Sequence, residues 1–335
     1  MADLKTSYMG LELANPLIAG ASDLTADVDT IKRIADAGAG AVVLKSLFEE
    51  QIQLERFALE EAQHRGEAVY SEMATIFPNF KHAGPGEHLM WVKKSKQSVK
   101  IPVIASLNAV ERDTWVEYAR LLADQGVDGL ELNFFATPRD SEIPGSRIEE
   151  EQLEVIGQVA ELKIPVAVKL SQFYSNPLNF ITRAARAGAR GLVLFNRFFH
   201  PDIDAESASI KQPFNFSIAA DNRLPLRYAG LLYGNVAADV CAGTGIMSGS
   251  DTAKMILAGA SAVQVTTVLY RQGIGVIPKM LDDLSAWMKR KNHASIADCR
   301  GLLSQKSGAN PWAYTRAQYA KMLLNPKDFM ETVKT

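Results

Sequence analysis

The apolar residues of this chain fall into short runs that return in one repeated form. Ala37-Gly-Ala-Gly-Ala-Val-Val-Leu-Lys45, Gln125-Gly-Val-Asp-Gly-Leu-Glu-Leu-Asn133, Ala187-Gly-Ala-Arg-Gly-Leu-Val-Leu-Phe-Asn196 and Ala258-Gly-Ala-Ser-Ala-Val-Gln-Val-Thr266 share a grammar. Each has a glycine where a helix stops, then alanine or valine, then a strand. Glycine suits the left-handed position after a helix, and a short loop leads into the strand. A second form, Lys100-Ile-Pro-Val-Ile-Ala-Ser-Leu-Asn108 and Lys163-Ile-Pro-Val-Ala-Val-Lys-Leu-Ser171, opens on a proline. Proline is tolerated at a strand start, where it need not donate to the ladder.

Between these runs, apolar residues recur at helical spacing over 27–37, 112–125, 148–162, 178–187, 251–258 and 277–290. Asn15–Ala21 supplies a first strand and Ala238–Ala242 a seventh. Eight strands, most followed by a helical pattern, predict an α/β chain folded as a (β/α)8 TIM barrel. A doubly wound sheet accounts less well for eight such units in succession. Two connections exceed ordinary length, Ser46–Gly86 after strand two and Arg197–Asn222 after strand six. Both belong to the C-terminal face of the barrel, where long loops act as lids or binding surfaces. The tail from Ser304 carries Trp312, Tyr314, Tyr319, Met322 and Leu323. The expected organisation is a barrel over residues 1–303 and a helical C-terminal extension over 304–335, packed on the barrel or on a partner subunit.

Composition narrows the classes. With 335 residues and 47% hydrophobic, the chain can bury a large core. Its 36 basic and 38 acidic residues nearly cancel, which argues against nucleic acid as a partner. Two cysteines, Cys241 and Cys299, are too few for a disulfide framework or a thiolate metal site, so no metal is expected. The opening residues lack a signal pattern and no apolar run reaches membrane-span length. A cytoplasmic protein with no membrane attachment is the expectation.

In a barrel the strand ends converge, so polar residues there carry most information. They are Lys45, Asn108, Asn133, Lys169 and Asn196, at five successive strand ends. One such residue is an ordinary strand cap. Two lysines and three amides together suit an anionic or electron-rich planar ligand. Alternation also points Glu131 the same way as Asn133, and a buried carboxylate needs a partner. Ala242-Gly-Thr-Gly-Ile246 follows strand seven, Ser248-Gly-Ser-Asp251 opens the next helix, and Thr266 and Thr267 end strand eight. Glycines let backbone N–H groups approach, a helix N-terminus favours an anion, and barrels commonly hold phosphates here.

These residues carry a resemblance. The chain is similar to the dihydroorotate dehydrogenase family, FMN-dependent barrels that oxidise a C–C single bond in a pyrimidine ring. The matching pieces are Asn15-Pro-Leu-Ile, Ala19-Gly-Ala-Ser22, Leu44-Lys-Ser46, Phe77-Pro-Asn79, Glu131-Leu-Asn133, Val168-Lys-Leu170, Phe195-Asn196, Gly243-Thr-Gly245 and, more weakly, Ser295-Ile-Ala-Asp298. The resemblance implies that Lys169 sits near the flavin N1 and C2 carbonyl, with Lys45 and Ser46 by flavin and substrate. It places Ala21 and Ser22 under the ring and gives the phosphate to Gly243, Thr244, Gly245, Thr266 and Thr267. Asn108, Asn133 and Asn196 complete the expected FMN site. A homodimer is the oligomer the resemblance implies, and a small-molecule substrate the partner.

The departures bear on the reaction. Family members carry a cysteine or serine after strand four that takes a proton from the substrate carbon; here Ala136 stands nearest that position. No cysteine lies between Asn133 and Lys169. Pro138 stands where an asparagine is expected, and Met73 where another substrate asparagine would be. An alanine cannot serve as a general base, and a bound orotate would lose amide partners. Thr137 is a weak candidate base, since an unassisted hydroxyl needs a proton acceptor. Ser141 and His200 are other candidates. Phe134 and Phe135 are expected to narrow the pocket, with ordinary core packing the alternative for one of them. The chain resembles a subgroup of the family with the FMN site kept and the catalytic residues altered. It is then expected to act on a C–C bond of a small polar ring or enoate other than dihydroorotate. Three alternatives stay open: a true dihydroorotate dehydrogenase with an unusual base, a non-catalytic flavin-binding redox partner, and a phosphate-binding barrel lyase or isomerase without flavin.

Overall fold

A computed structural model of the chain describes residues 2–54, 85–135 and 140–326. Eight parallel strands form a closed barrel: β1 (Leu17–Ala19), β2 (Ala41–Val43), β3 (Val103–Asn108), β4 (Gly129–Asn133), β5 (Val166–Leu170), β6 (Gly191–Leu194), β7 (Asp239–Ala242) and β8 (Ala262–Val265). Each pairs with its neighbours in sequence, β8 pairs with β1, and the register Val42↔Val103 joins β2 to β3 across the longest connection. This is the predicted (β/α)8 TIM barrel.

The helices that wrap it are α1 (Val28–Asp36), α2 (Pro85–Ser98), α3 (Arg112–Ala123), α4 (Gly145–Ala160), α5 (Pro177–Ala187), α6 (Arg223–Leu232), α7 (Gly249–Ala258) and α8 (Val276–Arg290). Local chemistry sets their ends. Asp27 accepts from Thr30 N, Asn176 from Asn179 N and Ser248 from Asp251 N, each satisfying a first-turn donor. Gly188 and Gly259 close α5 and α7 with φ of +120° and +128°, the left-handed role read from the repeated glycines. Helices α2 and α6 lie outside the spans that the sequence pattern predicts, and the apolar periodicity of α2 is weak.

An element the sequence pattern did not announce closes the N-terminal end of the barrel. Thr6–Tyr8 and Leu11–Leu13 form an antiparallel hairpin whose turn holds Met9 at a φ of +57°. Tyr8 and Met9 are fully buried against Ile18, Val43, Ile104, Ala167, Val193, Cys241 and Ala262. The barrel makes room through small inward residues. A Cβ at Gly191 would lie 2.6 Å from both Met9 Cγ and the Tyr8 hydroxyl. Met9 N donates to Asp239 Oδ2 at 3.0 Å, tying the plug to the start of β7.

At the opposite end, Asp202–Asp204 and Ser209–Lys211 pair as a small hairpin within the long connection after β6. Arg197 pins the return of that connection, donating to Asn215 O, Phe216 O and Asp221. The described part of the C-terminal extension contains a 3-10 turn, Pro311–Tyr314, and a helix, Arg316–Leu324. Tyr314 lies against Gly230 of α6, where a Cβ would strike its ring, and Arg227 donates to Tyr314 O and Gln318. The helix itself buries no residue. No helix among the described residues is long and apolar enough to cross a membrane.

Candidate active site

Polar side chains gather where the strands end. Register places Asn133 of β4 beside Lys169 of β5. Asn196, just past β6, donates from Nδ2 to Asn133 Oδ1 at 2.7 Å, and Asn108 donates to the Asn133 carbonyl at 2.9 Å. Asn133 is held from both sides, leaving its own Nδ2 without a bond among the described residues.

A cavity of about 380 Å³ opens over these residues. Ala21, Ser22, Lys45, Ser46, Asn133, Lys169, Asn196, Gly243, Thr244, Gly245, Thr266 and Thr267 all line it. Of the residues expected at the cofactor, only Asn108 does not; its amide is spent on bracing Asn133. The roof is aromatic. Phe199, Phe214 and Phe216 from the long connection meet Tyr270 in a chain of ring contacts, and Tyr270 accepts from Asp23 N at 3.1 Å. The Ser22 hydroxyl is buried and has no hydrogen-bond partner among the described residues.

Glu131 accounts for the polar face of β4. It is 1% exposed, accepts from Gln264 Nε2 at 2.5 Å through Oε2, and has Oε1 3.8 Å from Lys169 Nζ. At an effective dielectric near 20 that ion pair is worth roughly 4 kcal/mol before desolvation is set against it. Two other cations line the cavity, and each has its own carboxylate: Lys45 Nζ lies 2.5 Å from Asp23, and Arg197 2.7 Å from Asp221.

The glycine segment after β7 turns left-handed at Thr244 (φ +68°) and Gly245 (φ +74°). Thr244 Oγ1 donates to Phe195 O, and Gly245 N donates to Ser217 Oγ at 3.2 Å. The Ser217 hydroxyl also bonds Thr267 Oγ1 at 2.9 Å, clasping the ends of β7 and β8 together. A Cβ at Gly245 would sit 2.5 Å from Asn222 N, so the turn demands glycine. At Gly243 the nearest atom would be 3.7 Å away, and packing makes no such demand.

The expected contribution of the α7 N-terminus is corrected. The Asp251 carboxylate folds back onto it, accepting from Met247 N, Ser248 Oγ, Asn222 Nδ2 and Lys254 Nζ at 2.9–3.1 Å. Burial pushes this carboxyl up, but the bonds from Lys254, Ser248 and Met247 outweigh it and hold the group lowered. A resident carboxylate already fills the place of an external anion.

Phe134 takes the ordinary core packing expected of one of the two phenylalanines, and the narrowing role expected of Phe135 is corrected. Phe134 is buried against Trp115, and Phe135 stacks on Phe198 at 4.3 Å; neither lines the cavity. Strand alternation turns Phe134 outward, away from the barrel axis. Ser141 is exposed and away from the cavity, while His200 lines a smaller neighbouring cleft. Met73, Phe77, Pro78, Asn79, Ala136, Thr137 and Pro138 lie outside the described residues. Several lining residues went unread in the sequence, among them the aromatic roof, Gln264 and Ser217. Gln264 carried the same signal as Glu131, a polar residue between Val263 and Val265, whereas Ser217 and Phe216 carried none.

The family model for dihydroorotate dehydrogenase matches residues 81–288, from α2 into α8. Curated relatives agree over nearly their whole length. The chain is 25% identical to the "Dihydroorotate dehydrogenase B (NAD(+)), catalytic subunit" of Thermoplasma volcanium, covering 90% of this chain and 99% of that one. Proteins with the same description from Thermoplasma acidophilum and Methanosarcina mazei are 27% and 28% identical, over 90% of this chain and 99% and 97% of theirs. A match of that extent, over a barrel whose strand ends converge on one cavity, shows that the chain belongs to the dihydroorotate dehydrogenase family of oxidoreductases acting on CH–CH donors.

Proposed function

We propose that the cavity binds FMN and that the chain oxidises or reduces a C–C bond of a small polar substrate other than dihydroorotate. The observation that carries the cofactor reading is the cavity lining itself. Among the described residues a buried Ser22 hydroxyl has no partner, and packing gives no reason for the glycine at 243. A ligand that hydrogen-bonds Ser22 and approaches the Gly243 backbone accounts for both. The residues present fit FMN: Gly243, Thr244, Gly245, Thr266 and Thr267 would hold its phosphate, and Asn133, Asn196 and Lys169 the polar edge of its ring.

FMN, when bound, supplies hydride acceptance and donation. The chain's own residues do the rest. Asn196 orients the Asn133 side chain so that its Nδ2 is left for a ligand acceptor, and Asn108 braces the Asn133 main chain. Lys169 brings a positive charge to the cavity from a largely buried position, where it favours electron-rich ligand states. The aromatic roof of Phe199, Phe214, Phe216 and Tyr270 excludes water. Lys45, tied to Asp23 at the rim, is placed to exchange that carboxylate for a substrate anion.

Substrate identity turns on the missing base. Neither cysteine can replace it: Cys241 is buried in the barrel floor and Cys299 in a separate core beside α7 and α8. Burial pushes both thiols up, Cys241 well above 9.0 and Cys299 to about 11. Ala136 offers no proton acceptor. The relatives' descriptions favour a second reading, a dihydroorotate dehydrogenase that uses Thr137. One experiment separates the two. The purified protein, incubated with FMN, is expected to show flavin absorption that anaerobic dihydroorotate leaves unbleached. Absent flavin bands would overturn the cofactor reading. Prompt bleaching, lost in Thr137→Ala, would establish the second reading.

A further inference from the structure

We propose that Glu131 is a positioning residue that sets how much of the Lys169 charge reaches the cofactor, and that Gln264 holds it in that setting. The proposal rests on the FMN reading above and goes beyond it.

Among the described cations that line the cavity, Lys169 alone makes no hydrogen bond to a carboxylate. Lys45 and Arg197 are matched by Asp23 and Asp221 at 2.5 and 2.7 Å. Among the described carboxylates Lys169, 15% exposed, is matched with Glu131 alone, and at 3.8 Å the two do not touch as a hydrogen-bonded pair. Glu131 is equally incomplete. One oxygen is taken by Gln264, which reaches across the barrel from β8, while Oε1 is buried without a hydrogen-bond partner among the described residues. An unfilled buried carboxylate oxygen beside an ammonium group it does not touch is a costly arrangement. A small rotation of the carboxylate would relieve it, and the Gln264 bond opposes that rotation.

Among the described residues nothing beneath the pair offers Glu131 another positive partner. The polar groups on that side are the Tyr8 hydroxyl and the Cys241 thiol, both kept protonated by burial first and by negative neighbours, Glu131 among them, next. Glu131 therefore has one counter-charge, Lys169, and holds it from below at a distance fixed by the opposite strand. Lys169 in turn keeps most of its charge for the cavity above.

That charge matters when electrons enter. Transfer of a hydride from a substrate C–H bond delivers two electrons and one proton to FMN, while the second substrate proton goes to a base or to solvent. The ring gains one negative charge. Lys169 favours the reduced form, and Glu131 opposes it in proportion to how closely it pairs with Lys169. Two substitutions should then act in opposite directions. Glu131→Gln removes the negative charge and keeps the shape. Gln264→Met keeps the charge and frees the carboxylate to close on Lys169.

The test is the reduction equilibrium of bound FMN, read anaerobically against a reference dye, with the affinity for oxidised FMN measured alongside. Relative to the unsubstituted protein, E131Q is expected to raise the ratio of affinities for reduced over oxidised FMN at least tenfold. Q264M is expected to lower that ratio, as Lys169→Met does more strongly. A purely structural role would lower thermal stability and leave the ratio within twofold, or move both variants the same way; either result overturns the proposal. Should E131Q fail to fold, the sign of the Q264M shift decides. An unsubstituted protein that binds no FMN overturns the cofactor reading, and this proposal with it. FMN bound with unshifted ratios overturns this proposal alone.

Discussion

Asn196 reaches over from the end of β6 and donates to Asn133 Oδ1 at 2.7 Å, so that one amide fixes which way another faces. Asn133 Oδ1 is occupied, and its Nδ2 makes no hydrogen bond among the described residues. Asn196→Ala removes the orienting bond without touching the barrel core. The expected result is an approximately tenfold weaker affinity for FMN, about 1.4 kcal/mol, within the usual range for one hydrogen bond. Quenching of FMN fluorescence on binding measures it. Asn196→Asp should do at least as much, because a carboxylate would then face the Asn133 oxygen.

The two glycines after β7 should fail in different ways. Gly245→Ala forces a Cβ to 2.5 Å from Asn222 N at a positive φ, so its cost falls on folding, at about 1–3 kcal/mol. Gly243→Ala meets only ordinary contacts and should leave the melting temperature unchanged while weakening FMN binding. Thermal melts and FMN titrations of the two variants check the contrast.

Tyr8 places a hydroxyl in the barrel floor with no hydrogen-bond partner among the described residues. Tyr8→Phe removes a buried polar group that gains nothing in the folded state. The variant should be more stable by about 1 kcal/mol in denaturant unfolding.

Alkaline pH should weaken the fold through the same floor. Burial, followed by the Glu131 charge, lifts the Cys241 thiol well above its ordinary 9.0, and burial, followed by the Cys241, Glu131 and Asp239 charges, lifts the Tyr8 phenol well above 10.0. In both cases the native state holds the proton longer than the unfolded state does. Their contribution is present in full below pH 9 and declines as the pH rises past 9.0 for Cys241 and past 10.0 for Tyr8. Stability measured from pH 7 to 11 should fall at the upper end, and less steeply in Cys241→Ala than in the unsubstituted protein. Cys241 should also resist thiol reagents until the protein unfolds.

The repeated glycine-then-strand pattern was enough to specify the barrel, because helix termination and strand burial are local matters written in consecutive residues. The same locality made Lys45, Asn133, Lys169, Asn196 and the Gly243–Gly245 turn readable: each ends a strand, and parallel strands of one barrel end together. The expectation that Ala136 stands at the family's base position also comes from the resemblance, since it needs only the identity of a residue. Tertiary contact decided what each group is paired with. Tyr8 and Met9 lie far along the chain from Gly191 and Cys241, and only barrel closure shows that the hairpin fills the floor. Asp251 looked like the start of an anion site until its own carboxylate turned back onto the helix end. Glu131 and Gln264 are 133 residues apart and meet because β4 and β8 face each other across the barrel axis. Hydrogen bonds and ion pairs act over a few ångströms in space, and the periodicity of one strand carries no record of what lies across from it.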